Sequence, residues 1–208
     1  MRLRIQFSKT EAMRYTGHLD LHRAWERTFR RSGLPLAYSH GFHPQPRINL
    51  ACALPLGFTS QSELVDIWIE ETVTIESIYT ALERAAPPGI QITSIQSADL
   101  LLPSLQTQVQ AVEYEIIFLE ETPDLHTRVE ALLASSTLVR ERRKKTYDLR
   151  SLIEELVFLP PVSEGNSRLR VRLTAQAGAT GRPEELILAL GYEPASAHVH
   201  RTRIILKE

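Results

Sequence analysis

The chain has one cysteine, Cys52, in 208 residues. A single thiol excludes intrachain disulfides, a thiolate zinc cluster and any iron–sulfur cluster ligated by this chain alone, so no cofactor is expected on it. Long apolar runs are missing too: nothing approaches the roughly 18 residues that a membrane span needs. The start, Met1-Arg2-Leu3-Arg4-Ile5, alternates like a strand rather than forming the apolar stretch of a signal peptide, so a soluble, cytoplasmic protein with no membrane partner is expected. Three motifs are absent: Gly-x-x-x-x-Gly-Lys-Ser/Thr, Gly-x-Gly-x-x-Gly and Gly-x-Ser-x-Gly. Their absence argues against P-loop nucleotide hydrolysis, dinucleotide binding and a serine-hydrolase nucleophile. Also missing is the Lys/Arg-Gly-Phe/Tyr-Gly/Ala-Phe-Val run that places base-stacking aromatics on an RNA-recognition sheet.

Basic residues are scarce only in the middle. Residues 51–135 hold two Lys/Arg against thirteen Asp/Glu, whereas residues 1–50 hold nine against three and residues 136–208 thirteen against nine. The net charge of −1 therefore hides two basic regions around an acidic one. Segregation on this scale favours a polyanionic partner.

Hydrophobic periodicity places a strand at 2–8, with Leu3, Ile5 and Phe7 inward and Arg2, Arg4 and Gln6 outward. A helix follows over 18–31, where Leu21, Trp25, Thr28 and Phe29 repeat at i, i+4, i+7 and i+8, and Arg23, Arg27, Arg30 and Arg31 repeat two positions later. Strands at 47–54 and 63–70, a helix at 74–86 and a strand at 90–95 complete a βαββαβ order. Residues 99–110 read as a linker. Beyond it come a strand at 112–119, a helix at 124–134, one long basic strand at 137–149 and a capping box at Ser151–Glu154 that opens a short helix. A strand at 168–174, a helix at 183–190 and a strand at 198–206 follow. The expected fold class is α+β: two ferredoxin-like βαββαβ domains in tandem, residues 1–98 and 111–208, each an antiparallel sheet with helices on one face.

The densest chemistry lies in Tyr38-Ser39-His40-Gly41-Phe42-His43-Pro44-Gln45-Pro46-Arg47. Proline fixes φ and glycine permits positive φ, so this run is expected to be a stiff loop displaying polar side chains. His18, His40 and His43 are candidates for general acid or base work, with Arg47 steadying a phosphate as in a metal-independent endoribonuclease. His18 and His22 at i, i+4, together with His40 and His43, are the candidate ligands of a metal-dependent hydrolase. Against both stands the common use of helix-end and loop histidines for capping and packing. The expected RNA contacts are Arg23, Arg27, Arg30, Arg31 and Arg47 in the first half, and Arg142, Lys144, Arg168, Arg170 and Arg172 in the second. The last three alternate with Leu169, Val171 and Leu173, which puts three guanidinium groups on one sheet face.

Several motifs together resemble the radical-SAM-linked domain of unknown function. They are Tyr15-Thr16-Gly17-His18-Leu19-Asp20, the loop 38–47, Leu54-Pro55-Leu56-Gly57, Glu63-Leu64-Val65-Asp66 and the basic run Arg142-Arg143-Lys144-Lys145-Thr146-Tyr147-Asp148. The resemblance covers nearly the whole chain. It implies a radical-SAM protein as partner and a genomic setting of ribosome and RNA-processing genes. Without the Cys-x-x-x-Cys-x-x-Cys of a radical-SAM cluster, this chain has no such chemistry of its own. The expectation is a noncatalytic RNA-binding or substrate-presenting accessory module acting on tRNA or rRNA. The alternatives are the hydrolase built on His18, His40 and His43, and a protein-only adaptor for the radical-SAM partner.

Overall fold

The structure, a computed structural model, describes residues 1–71, 73–142, 144–161 and 166–207. The chain forms two compact units, Met1–Val109 with Lys207, and Gln110–Leu206. Each is mixed α and β, with antiparallel strand pairs. Among the described residues no helix is long and apolar enough to cross a membrane.

In the first unit, β1 (Arg2–Lys9) leads through a short 3-10 turn to α1 (His18–Ser32). Leu21, Trp25, Thr28 and Phe29 form the buried stripe that their spacing predicts, and Gly33 ends the helix in the left-handed region at φ 70°. Trp25 packs edge-on against Phe7 at 4.8 Å and stacks on Phe29 at 4.9 Å. Next come β2 (Ile48–Leu50), β3 (Thr59–Trp68), α2 (Ile75–Ala85) and β4 (Ile90–Ala98). The Thr74 hydroxyl caps α2 by accepting the Ser77 amide at 3.3 Å, and Ile78 and Leu82 join Leu3, Ile5 and Phe7 in one core. The strand order is β2-β3-β1-β4. Strand β2 covers only part of the expected 47–54, and the chain turns later at Gly57 (φ 86°), whose amide donates to the Arg14 carbonyl.

The second face of β1 overturns a simple inside–outside reading. Arg2 and Arg4 are buried, and both donate to Asp66 of β3, which is fully buried. Arg2 Nη2 reaches Asp66 Oδ2 at 2.6 Å and Arg4 Nε reaches Oδ1 at 2.9 Å. The remaining Arg2 protons go to the carbonyls of Leu102 at 2.6 Å and Pro103 at 2.9 Å. Segment 99–109, which reads as a linker, thus lies with the first unit. It carries the one-turn α3 (Leu105–Gln108), whose Leu105 is buried, and Gln108 accepts from Arg4 at 3.0 Å. Lys9 is also buried and donates to the carbonyls of Phe58 and Arg14.

The second unit contains β5 (Val109–Phe118), α4 (Leu125–Ala134), a hairpin of β6 (Val139–Arg142) and β7 (Lys145–Asp148), then β8 (Ile153–Leu159), β9 (Arg168–Gln176), β10 (Ala179–Thr180), α5 (Pro183–Ala189) and β11 (Ala197–Leu206). Its order is β10-β9-β5-β11, with β8 also on β9. Two expectations change. The single strand over 137–149 is a separate two-stranded hairpin, with Lys144 at φ 64° beside its turn. Its run of charged residues offers no alternating apolar face to bury, and Asp148 Oδ1 closes its base by accepting the amides of Leu138 and Arg150. Arg143 of that run lies outside the described residues. The helix expected from Ser151 is a 3-10 turn (Arg150–Leu152) running into β8. Ser151 donates its hydroxyl to the Asp148 carbonyl instead of capping, and Ile153 and Leu156 are buried in the sheet.

Removing the carboxylate of Asp66 strands two buried cations. Asp66→Ala should cost about 3–5 kcal/mol and release segment 99–104. A denaturant midpoint and limited proteolysis within that segment would check this, and wild-type values for both would refute it.

Candidate functional site

The histidine–proline run is a stiff projecting loop. Its arms are joined by the Tyr38–Pro46 bridge, by Ser39 N donating to Gln45 O at 2.8 Å, and by Gln45 N donating to the Ser39 hydroxyl at 3.0 Å. Below this, Arg47 N donates to Ala37 O at 2.9 Å, Ala37 N donates to Trp68 O at 2.8 Å and Trp68 N to Arg47 O at 3.3 Å, so the loop grows from the end of β3. His40, Phe42 and His43 are exposed at the tip, where Gly41 takes φ 139°.

At the loop's base, the Arg47 guanidinium lies 4.6 Å from the Trp68 ring centre and that of Arg2 lies 4.9 Å from it. Because β3 runs between β2 and β1, the two cations reach the indole from neighbouring chains on either side. Arg2, Arg47, Asn49, Trp68, Leu100 and Leu102 line a groove of about 410 Å³. Asn49 Oδ1 in its wall is buried with no hydrogen-bond partner among the described residues.

The four histidines are not gathered. His18 begins α1, His22 Nδ1 sits 3.4 Å from Glu26, and His40 and His43 stand on the loop. Among the described residues no three His, Cys, Asp or Glu side chains form a group suited to a metal. The expected shell of His18, His22, His40 and His43 is therefore not assembled, because His22 turns along its helix to a carboxylate one turn away.

The arginines divide by what they touch. On α1, Arg23 pairs with Asp20 at 3.3 Å and Arg31 donates to the Ala85 carbonyl at 2.7 Å. Arg27 and Arg30 are exposed, with no ion pair among the described residues. On β9 the expected cationic face is neutralised. Arg168 pairs with Glu115, Arg170 with Glu155 at 3.5 Å, and Arg172 with Glu113 at 3.2 Å and Glu155 at 3.3 Å. The register sets Glu113 and Glu155 directly opposite Arg172, while the Arg168–Glu115 and Arg170–Glu155 pairs reach diagonally to the next position on the same face. Glu113 and Glu115 alternate with Val112, Tyr114 and Ile116 in the sequence, so an acidic stripe was legible there; its strand partner was not.

In the second unit Arg142 stands at a pocket. With Lys145, Tyr147, Asp148, Ser151 and Arg182 it lines a pocket of about 530 Å³ between the hairpin and the β9–β10 turn. Lys144 is exposed beside the hairpin turn. Lys145 and Tyr147 belong to the basic run singled out in the sequence but not to the expected contacts, and Arg182 was not signalled at all, since it joins the hairpin only through tertiary folding. Burial, and then the Glu185 carboxylate, raise the Tyr147 pKa above 10.0, against the lowering effect of Arg142, Arg182 and Arg140.

The family model described as "Uncharacterized protein conserved in bacteria (DUF2344)" matches residues 2–183. The chain belongs to this family. None of the curated proteins compared matches it. Among solved structures it is similar to a chain of "Crystal Structure of a Cbf5-Nop10-Gar1 Complex", with 11% identity and a TM-score of 0.51, over 97% of this chain and 48% of that one. A chain of "Crystal structure of the archaeal box H/ACA sRNP Nop10-Cbf5 complex" matches with 13% identity and a TM-score of 0.47, over 97% and 47%. The chain thus spans about half the length of these solved chains. At such identity the first match is a likeness of fold.

The Tyr147 phenol provides a local test of the pocket. Glu185→Gln should lower its pKa and Arg142→Ala should raise it further, read by ultraviolet difference titration against Tyr147→Phe. Because the folded pKa is the higher one, this group's contribution to stability is full below the unfolded value of about 10 and is lost as pH rises through the folded value. A phenol that titrates alike in all variants would contradict this environment.

Proposed function

We propose that the chain is a noncatalytic, cytoplasmic RNA-binding or substrate-presenting module that works with a radical-SAM enzyme on tRNA or rRNA. What supports this reading is the distribution of cations that the fold leaves uncommitted. Arg2, Arg4 and Lys9 are buried in structural contacts, and Arg168, Arg170 and Arg172 are matched by carboxylates. Arg142, Lys145 and Arg182 instead surround an open pocket. A cleft lined by guanidinium and ammonium groups with a tyrosine hydroxyl suits a phosphate-bearing strand, since Arg forks match phosphate oxygens and Lys adds a point charge.

The strand orders β2-β3-β1-β4 and β8-β9-β5-β11 agree with reading each unit as a ferredoxin-like split βαβ, the tandem architecture we assign here. The radical-SAM partner rests on the motif resemblance and on this chain's single cysteine, which leaves cluster chemistry to another protein.

Filter binding of tRNA at several salt concentrations tests the reading. Arg142→Ala, Lys145→Ala and Arg182→Ala should each reduce the magnitude of the salt slope by about 0.7 on single strands or about 0.9 on duplex. Arg170→Ala, whose charge is already matched, should leave the slope unchanged. Wild-type affinity no better than that of a neutral control protein would sink the proposal.

A further inference from the structure

Residues 27–62 contain no aspartate or glutamate, and the loop stands in the middle of this stretch. At its tip Phe42 is fully exposed, more so than any other large apolar side chain among the described residues; Tyr38 in the nearer arm is 45% exposed. An aromatic ring held entirely in water by a stiff loop contributes nothing to the core. The loop's rigidity is built in: Pro44 and Pro46 restrict φ, the Ser39–Gln45 bonds tie the arms together, and Gly41 at φ 139° turns the chain ahead of Phe42. Ordering entropy is thus largely spent before any ligand arrives. Arg47, five residues on, is exposed and steadied over Trp68.

We propose that Phe42 stacks on an unpaired base of single-stranded RNA while Arg47 receives a neighbouring backbone phosphate. This rests on the RNA-binding reading above and deepens it by naming the loop as a second contact and single strands as its substrate class. The ligand chemistry follows from the loop's own groups. A single strand repeats a π face and a phosphate, and the loop offers exposed rings at Tyr38, His40, Phe42 and His43 beside a cation and carries no carboxylate of its own. Duplex RNA keeps its bases stacked inside, leaving the ring no partner. Stacking is thereby supplied by a loop in a chain whose sequence lacks the aromatic motif of an RNA-recognition sheet.

Fluorescence anisotropy with a labelled single-stranded oligoribonucleotide, alone and annealed to its complement, tests the assignment. Phe42→Ala should weaken single-strand binding by about 5- to 150-fold and leave duplex binding unchanged, while Phe42→Trp retains affinity. The ring is outside the core, so Phe42→Ala should melt like wild type, and its loss of binding is then not a loss of fold. Unaltered single-strand affinity in Phe42→Ala, with binding still weakened by Lys145→Ala, overturns the stacking role and leaves the module reading standing. Failure of the wild type to bind the oligonucleotide in either form, or tRNA, overturns both.

Discussion

Two guanidinium groups share one buried carboxylate in the first unit, and the organisation of that unit follows from this pairing. Asp66 accepts from Arg2 and Arg4, while the protons left over on Arg2 are taken by carbonyls of the segment after β4. Ions without water need every proton and lone pair engaged, so the network holds only while β1, β3 and the 99–103 chain stay in register. It also positions Arg2 beside Trp68, forming one wall of the groove at the foot of the projecting loop.

The network also changes the meaning of charge in this protein. Counted along the chain, residues 1–50 are strongly basic. Several of those charges are structural: Arg2 and Arg4 serve Asp66, Lys9 serves two carbonyls, and Arg14 ties its turn to Gly57 while pairing with Glu11. In the second unit Arg201 is buried and donates to the Tyr114 hydroxyl, and β9 trades its arginines against glutamates on β5 and β8. Basic residues available to a ligand are thus fewer and more localised than their number suggests. Among the described residues, those exposed with no ion pair include Arg27, Arg30, Arg47 and Arg84 in the first unit and Lys144, Lys145 and Arg203 in the second.

Local signals carried well where one face was apolar and the ends were marked. The stripe of α1, its Gly33 stop, the Thr74 cap of α2 and the proline at the start of α5 were all legible, because each depends on residues within a turn or two. The hairpin at 139–148 and the strand at 153–159 were misread for a corresponding reason. Strand-forming and helix-capping patterns overlap in Ser151-Leu152-Ile153-Glu154, and the outcome turned on a distant partner, β9, which offers Leu173 to Ile153 and Leu169 to Phe158.

By itself, the sequence determined the α and β content, the stiff exposed loop and the inability of one cysteine to support cluster chemistry, since periodicity, proline geometry and ligand count are local or compositional properties. Tertiary structure alone decided which cations remain available. A guanidinium's neighbours are chosen by strand register and chain crossing, so Arg172 met Glu113 and Glu155, Arg2 met Asp66, and Arg142 and Arg182 came to line one pocket across many intervening residues.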